Sequence, residues 1–200
     1  MDDHGVAMNF RGVVRWSGLA AALAWLAAVV GFGARLPDYD QMRHPVALLG
    51  AHGVPGAMPF NLLGFMLPGV LAVVTVSGLA RRLPSGAGWP LRLGVQMQMV
   101  AALAFIGMGL LPLDAGDVDG PASGLHASMW MLWALAFMLG AMLLSWGRAQ
   151  PGWRRVAIPG WLVGMLVFVL GFVLGGPFAQ RLLFLLWGLW LALLPVGRGK

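Results

Sequence analysis

The sequence contains no cysteine and no glutamate, and only 10% of its 200 residues are charged. The absence of cysteine excludes disulfide bonds, thiolate metal sites and cysteine nucleophiles. An ordinary soluble domain has about 25% charged residues. A water-soluble fold of this length leaves much of its area exposed, and this chain has too few charged groups to cover that area.

Hydrophobic residues make up 60% of the chain. The 30 glycines and 13 prolines are typical of membrane helices, in which glycine allows close packing and neighbouring helices satisfy the backbone at a proline. Trp16, Trp89, Trp146 and Trp153 lie near the ends of apolar runs, where indole rings prefer the headgroup region. The composition therefore predicts a polytopic membrane protein.

A helix that crosses a bilayer needs about 20 mostly apolar residues. Six segments qualify, so we predict an all-α transmembrane bundle that forms one domain over residues 1–200. The predicted spans are residues 16–34, 58–80, 91–113, 125–146, 156–175 and 178–196. Pro68 predicts a kink in the second span. The first span is expected to be a retained anchor, because its apolar run is long and no cleavage site is evident.

The basic residues predict the orientation of the bundle. With both termini in the cytoplasm, ten of the 13 Lys and Arg residues fall on the inner side. Arg35, Arg43 and Arg181 fall outside, together with five of the seven aspartates. We therefore expect a multi-pass protein of the inner (plasma) membrane, with the lipid bilayer as its partner. Nucleic acid is not an expected partner, because the basic residues are scattered in pairs at helix ends.

Polar side chains concentrate at the predicted outer ends of the helices. They are His44, His52, Asn61, Asp114, Ser123, His126, Ser128, Gln180 and Arg181. Ionisable groups at membrane depth are costly, so they raise a hypothesis of function. Structural interpretations stay open for each. His126 could bond a loop carbonyl, Ser123 could cap the fourth span, and Arg181 could extend to the headgroups. Asp114 could be a solvated loop acid and Asn61 could bond between helices.

Two catalytic arrangements are compatible with these residues. His44, His52, His126 and Asp114 could converge as ligands of a zinc-like ion for metal-assisted hydrolysis. Alternatively, Asp114 and His126 could act as a general-base pair without metal. No pair of ligands is spaced to share one helical face, so no cofactor is predicted and the metal is the alternative.

Two glutamines, Gln96 and Gln98, lie inside the third predicted span, nearer its cytoplasmic end. An amide in a membrane helix can make an interhelical hydrogen bond, and either residue could do so. The sequence is also compatible with a homo-oligomer. The 13 methionines are interpreted as adaptable packing within the bundle.

Several short motifs resemble one family of membrane proteins. They are Leu49-Gly50-Ala51, Gly53, Pro55, Ala57, Asn61, Gly64-Phe65, Gly69, Pro112-Leu113-Asp114, His126, Gln180-Arg181, Trp187 and Trp190. In this order they resemble the family called domain of unknown function 998, over about Trp16 to Arg198. The resemblance implies an inner-membrane protein of about six spans with no established activity.

The same resemblance singles out the positions that match the family pattern. They are Asn61, Asp114, His126, Gln180 and Arg181. Ala47 stands where the family often has a serine, which weakens a hydrolase scheme that uses a serine there. His44 and His52 match no family position, which weakens the metal site.

We therefore expect a polar pocket on the outer face that binds a lipid or small molecule. In it Arg181 would pair with Asp114 or hold an anionic headgroup. The rival is an intramembrane hydrolase acting on lipids, with Asp114 and His126 as catalytic candidates. A small transporter is less favoured, because no matching broken helices and no mid-membrane acid are present.

Overall fold

The computed structural model describes residues 3–146 and 176–194, with the backbone alone for residues 3–13 and 15. Between residues 147 and 175 it describes Leu162, Met165, Leu166, Val169 and Val173, which are helical and exposed. Helices account for all the regular secondary structure of these residues, in agreement with the predicted all-α class.

Six α-helices are described, and a 3₁₀-helix and a π-helix lie beside the second of them. In chain order the elements are α1 (Asp3–Gly33), the 3₁₀-helix (Val46–Gly50), α2 (Ala57–Phe60), the π-helix (Asn61–Met66), α3 (Leu67–Ala80), α4 (Trp89–Leu110), α5 (Pro121–Ser145) and α6 (Gly176–Leu193). Among these, α5 packs on α4, α4 on α3, α3 on α1, and α1 on α6.

Five helical segments in the described residues are long and apolar enough to cross a membrane. They are 16–33, 57–80, 89–110, 121–145 and 176–193. They correspond to five of the six predicted spans. The remaining predicted span, 156–175, lies outside the described residues apart from the five named above, so the count of six stays a prediction.

Proline positions explain where two predicted ends were misplaced. The third span was predicted to reach residue 113, but α4 ends at Leu110. Leu111 precedes Pro112, and the residue before a proline is disfavoured in the helical region. The fourth span was predicted to begin at residue 125, but α5 begins at Pro121. Proline is favoured in the first helical turn, where its missing N–H has no intrahelical acceptor.

The second span contains a π-helix just before Pro68, the residue at which the sequence predicts a kink. Proline lacks the backbone N–H and its ring clashes with the carbonyl four residues earlier, which is that of Gly64. The π-helix occupies this turn, from Asn61 to Met66. Its wider turn gives room for the proline ring, and π segments of this kind are frequent at functional sites.

Aromatic rings fill the centre of the bundle. The Phe105 and Trp187 ring centroids lie 4.6 Å apart, and those of Trp133 and Phe184 lie 4.7 Å apart. All four side chains are buried. They come from α4, α5 and α6, so they hold together helices that are distant in sequence. A polar contact joins α1 to α3, where the Ser17 and Thr75 hydroxyls lie 2.7 Å apart.

Candidate functional site

The two long loops of the described chain, 34–56 and 111–120, meet at one end of the bundle, which we call the long-loop end. The backbone N–H of His52 donates to the Leu113 carbonyl at 2.8 Å. His52 and Asp114 also form an isolated parallel bridge. The predicted site residues can therefore be compared at a single end of the molecule.

Among the described residues of this end, Arg181 is the buried cation, with only 8% of its surface exposed. Its Nε donates to Gln41 Oε1 at 3.1 Å and its Nη1 donates to the Pro177 carbonyl at 3.1 Å. Its Nη2 donates to the Tyr39 hydroxyl at 2.5 Å. The guanidinium carbon also lies 5.7 Å from the centre of the Tyr39 ring.

All three acceptors of Arg181 are uncharged. Among the described residues, the side-chain ion pair is Arg43–Asp40, at 3.7 Å on the surface. Arg181 and Asp114 do not form the ion pair that the sequence suggested. A guanidinium has five N–H donors, so the three hydrogen bonds leave two donors, one on each Nη. A buried charge without an opposite charge costs several kcal/mol.

The neighbouring residue Gln180 fastens the first long loop to α6. Its Oε1 accepts a hydrogen bond from the Val46 backbone N–H at 3.2 Å. Gln41 holds the same loop to α1, because its Nε2 donates to the Val29 carbonyl at 3.0 Å. The first long loop is thus bonded to α1 through the Gln41 amide and to α6 through the Gln180 amide, next to Arg181.

Tyr39 and Gln41 were missed by sequence reasoning, although they are the side-chain partners of Arg181. Tyr39 is the single tyrosine of the chain, and its hydroxyl also donates to the Pro45 carbonyl at 3.2 Å. A phenol in a loop between two spans was the signal that could have found it. Burial raises the pKa of Tyr39, while the charge and the hydrogen bond of Arg181 act in the opposite direction.

Asn61 closes the 3₁₀-helix onto the π-helix. The buried Asn61 side chain donates from Nδ2 to the Gly50 carbonyl at 2.9 Å. A Cβ atom at Gly50 would overlap Asn61 Oδ1, so a larger residue there would displace the Asn61 amide. Asn61 therefore has a structural bond, but to the loop before its own helix.

Asp114 and Ser123 organise the second long loop. The Asp114 carboxylate accepts from the Gly116 N–H at 2.9 Å, as a turn-forming aspartate does. Ser123 Oγ lies 3.1 Å from the Asp114 carbonyl and 2.8 Å from the Asp117 carbonyl. Gly120, and not Ser123, is the N-cap residue of α5. Ser123 is buried, and its hydroxyl holds the backbone of the second long loop.

His126 is buried on the first turns of α5, with 5% of its surface exposed. Its Nδ1 lies 2.9 Å from the Leu111 carbonyl. Its ring packs edge-on against Phe65, with the ring centroids 6.0 Å apart. The structural interpretation of His126, a hydrogen bond to a loop carbonyl, is the one that this geometry supports. The described residues contain no hydrogen bond between His126 and the Asp114 carboxylate.

The histidines of the long-loop end do not converge. His44 Nδ1 accepts from the Asp40 N–H at 2.9 Å, and His52 is exposed. Within the described part of the chain, no three His, Cys, Asp or Glu side chains are grouped so that they could hold a metal ion. His44, His52, His126 and Asp114 all belong to that part, so they do not form the suggested zinc-like site.

The structure thus separates the five predicted ligand-binding residues by their contacts. Gln180 and Arg181 act on the first long loop, Asn61 acts on the 3₁₀-helix, and Asp114 and His126 have contacts in or beside the second long loop. Arg181 is distinct because its charge is not compensated by a described residue. A ligand role for the five stays a prediction.

A cavity of about 20 Å³ lies elsewhere, between α1, α3 and α6. Trp25, Pro68, Trp187 and Gly188 line it, with other apolar residues. A volume of this size accommodates roughly one water molecule. The cavity therefore has no room for a lipid or a metabolite.

An all-α bundle with five span-length apolar helices defines the class of this protein as a helical membrane protein. The chain belongs to the family described as "Protein of unknown function (DUF998)", which it matches over residues 19–197. This confirms the resemblance drawn from the sequence motifs. No curated protein and no solved structure matches the chain.

Proposed function

We propose that this chain is an inner-membrane protein that binds the phosphate group of an anionic lipid at its long-loop end through Arg181. The proposal includes the orientation expected from the basic residues, with the termini in the cytoplasm and the long-loop end outside. It rests on one observation, which is that Arg181 is 8% exposed and that the hydrogen-bond acceptors of its guanidinium are uncharged.

Electrostatics favours an anion beside this guanidinium. Nη1 of Arg181 contacts Pro177, in the first turn of α6. The N-terminus of a helix carries a partial positive charge, which disfavours a cation there and attracts an anion. Burial and the helix dipole therefore both make the unpaired charge of Arg181 unfavourable, and a bound phosphate would offset both effects.

The hydrogen-bond count also fits a phosphate group. The two Nη donors without a described acceptor are the number that a bidentate contact with two phosphate oxygens uses. The acceptors already present, Gln41 and Tyr39, fix the plane of the guanidinium. An arginine held in a fixed plane favours ligands that accept two parallel hydrogen bonds. A lysine ammonium cannot reproduce this geometry.

The alternative of a lipid hydrolase is less well supported. A general base must lie within hydrogen-bond reach of its partner group. The Asp114 carboxylate bonds Gly116 and His126 Nδ1 bonds Leu111, so neither side chain orients the other. Binding is therefore preferred over catalysis.

The test compares the stabilisation of variants by added lipid. Purified protein in neutral detergent is titrated with short-chain phosphatidylglycerol, phosphatidylcholine or inorganic phosphate, and the Tm is measured. We expect phosphatidylglycerol to raise the Tm of the wild-type protein, because a ligand that binds the folded state stabilises it. Arg181→Gln should abolish the shift, whereas Arg181→Lys should reduce it.

Arg43→Gln is the matched control, because Arg43 is an exposed arginine of the same end, with 85% of its side chain exposed. It should retain the shift. An equal loss in both variants would indicate nonspecific attraction, and an unchanged shift in Arg181→Gln would overturn the proposal. A shift with inorganic phosphate but none with phosphatidylglycerol would identify a soluble anion as the ligand and overturn the assignment to lipid.

A further inference from the structure

Four exposed residues of α4 lie on one stripe of the helix, spaced seven positions apart. They are Trp89, Gln96, Leu103 and Leu110. Seven residues are almost two helical turns, so such positions stay on one face with a drift of about 20° per repeat. Trp89, Leu103 and Leu110 have 64%, 54% and 59% of their surfaces exposed. We call this set the α4 stripe.

Gln96 is the polar member of the α4 stripe. It lies seven residues after Trp89, which is about 10 Å further along the helix axis. Trp89 packs edge-on against Trp146, and both rings are exposed, as expected of a pair at the headgroup level. Gln96 therefore presents a primary amide about a third of the way along a membrane-spanning helix.

A comparison with Gln98 shows why this amide is unusual. Gln98 is buried, and its Nε2 donates to the Phe137 carbonyl of α5 at 3.1 Å. Gln98 thus makes the interhelical bond that the sequence suggested for either glutamine. Gln96 is exposed and has no hydrogen bond to any described residue. A polar group that faces hydrocarbon without a partner is unfavourable.

We infer that a second copy of this chain packs against the α4 stripe, with the two Gln96 side chains hydrogen-bonded to each other. An amide carries both a donor and an acceptor. Two copies related by a two-fold axis along the membrane normal place identical residues opposite each other. With Gln96 at this axis, the amide NH2 of each copy can donate to the amide oxygen of the other, so the residue is its own hydrogen-bond partner.

The rest of the α4 stripe fits the same partner. A seven-residue repeat is the period of a left-handed helix pair, in which each repeat places a side chain at the seam. Leu103 and Leu110 continue the seam beyond Gln96, and one polar residue in an apolar seam fixes the register. The nearby exposed Arg92 does not oppose this arrangement. Its Nε and Nη2 donate to the Ala87 and Ser85 carbonyls of its own short loop, which directs the charge to that loop.

The absence of cysteine from the chain allows a direct test by disulfide trapping. Gln96→Cys and Leu103→Cys are made as separate single-cysteine proteins and oxidised with copper phenanthroline in native membranes. Leu135→Cys and Leu139→Cys are the matched controls, because both residues are exposed apolar positions of α5. We expect a disulfide-linked dimer at positions 96 and 103 and none at 135 and 139.

A second measurement removes the hydrogen bond without a cysteine. Gln96→Leu and Gln96→Asn are labelled at the C-terminus and reconstituted at increasing dilution in liposomes, where energy transfer between copies is measured. Gln96→Leu should weaken association by about five- to tenfold, because a hydrogen bond between membrane helices contributes on the order of 1 kcal/mol. Gln96→Asn should retain part of it. The Tm of Gln96→Leu should stay unchanged, because the residue is not part of the core.

Equal trapping at all four positions would indicate random collision and overturn the inference. Trapping at positions 135 and 139 alone would place the interface on α5 and overturn it as well. Unchanged energy transfer in Gln96→Leu would exclude the amide pair. Lipid binding at Arg181 is measured on monomeric protein in detergent, so either proposal can fail without the other.

Discussion

Nη2 of Arg181 donates a hydrogen bond to the hydroxyl of Tyr39, a residue 142 positions earlier in the sequence. The same hydroxyl donates to the Pro45 carbonyl. Tyr39 thus relays the position of α6 to the backbone of the first long loop. This contact places the ionisable Tyr39 phenol next to the permanent charge of Arg181, so the titration of the phenol reports the contact.

The titration of Tyr39 should reveal the burial of this end of the molecule. Burial raises the pKa of Tyr39 above the usual value of about 10. A folded-state pKa above the unfolded value gives stability that is fully present below pH 10 and is lost as the pH rises through the folded pKa. We expect tyrosinate absorbance to appear above pH 10 in the folded protein, with the free energy of unfolding falling over the same window.

The contribution of Arg181 to this titration can be separated from burial. The Arg181 charge and hydrogen bond lower the pKa of Tyr39, against the larger effect of burial. Arg181→Gln should therefore raise the pKa of Tyr39 further, while Arg43→Gln should leave it unchanged. Because Tyr39 is the single tyrosine, the absorbance change reports this residue alone. A lower pKa in Arg181→Gln would contradict the contact.

Removing the Tyr39 hydroxyl should loosen the first long loop. Tyr39→Phe deletes the acceptor of Arg181 Nη2 and the donor to Pro45, and leaves a buried N–H unsatisfied. Such a loss costs about 1–3 kcal/mol. The His44 amide bonds the Asp40 carbonyl within this loop, and the Val46 amide bonds Gln180 of α6. Hydrogen exchange of both amides should become roughly 5- to 100-fold faster. Exchange in α4 should not change.

Two glycines of α1 provide a matched pair for the packing of α1 on α6. A Cβ atom at Gly18 would overlap the Leu191 carbonyl oxygen, whereas a Cβ atom at Gly31 would meet nothing within 4 Å. We expect Gly18→Ala to destabilise the protein by about 1–3 kcal/mol, because backbone cannot move aside as a flexible side chain does. Gly31→Ala should be neutral or stabilising by up to about 1 kcal/mol, because alanine favours the helix. Unfolding in detergent followed by circular dichroism measures both, and equal Tm values for the two variants would contradict the close approach.

The sequence was sufficient for the five spans among the described residues and insufficient for the contacts of the candidate site residues. Apolar runs of about 20 residues have few alternatives to a membrane helix, because the backbone must satisfy its own hydrogen bonds in lipid. The existence of α4 and α5 therefore followed from local pattern. The end of α4 is set by Pro112 and the start of α5 by Pro121. A proline restricts the backbone of only itself and the residue before it.

The partners of Arg181 could not be read from spacing, because they depend on how the first long loop folds back. Tyr39 and Gln41 lie in a segment without periodicity, whereas Asp114 appeared suitable through its charge. Sequence reasoning paired opposite charges, but the fold places uncharged acceptors on the guanidinium. Likewise, nothing in the sequence distinguished the exposed Gln96 from the buried Gln98, because their faces depend on the packing of α5 on α4.

Single cysteines labelled with a membrane-impermeant maleimide test the orientation of the bundle. Val118→Cys lies in the second long loop, where Val118 has 66% of its surface exposed, and Ser85→Cys lies in the short loop before α4, where Ser85 is exposed. Arginines favour the cytoplasmic side of membrane proteins, and Arg81, Arg82 and Arg92 flank Ser85. We therefore expect Val118→Cys to be labelled in intact cells with a permeable outer envelope, and Ser85→Cys to be labelled only after the inner membrane is opened. Labelling of Ser85→Cys in intact cells would reverse the orientation, and Arg181 would then face the anionic lipids of the cytoplasmic leaflet instead.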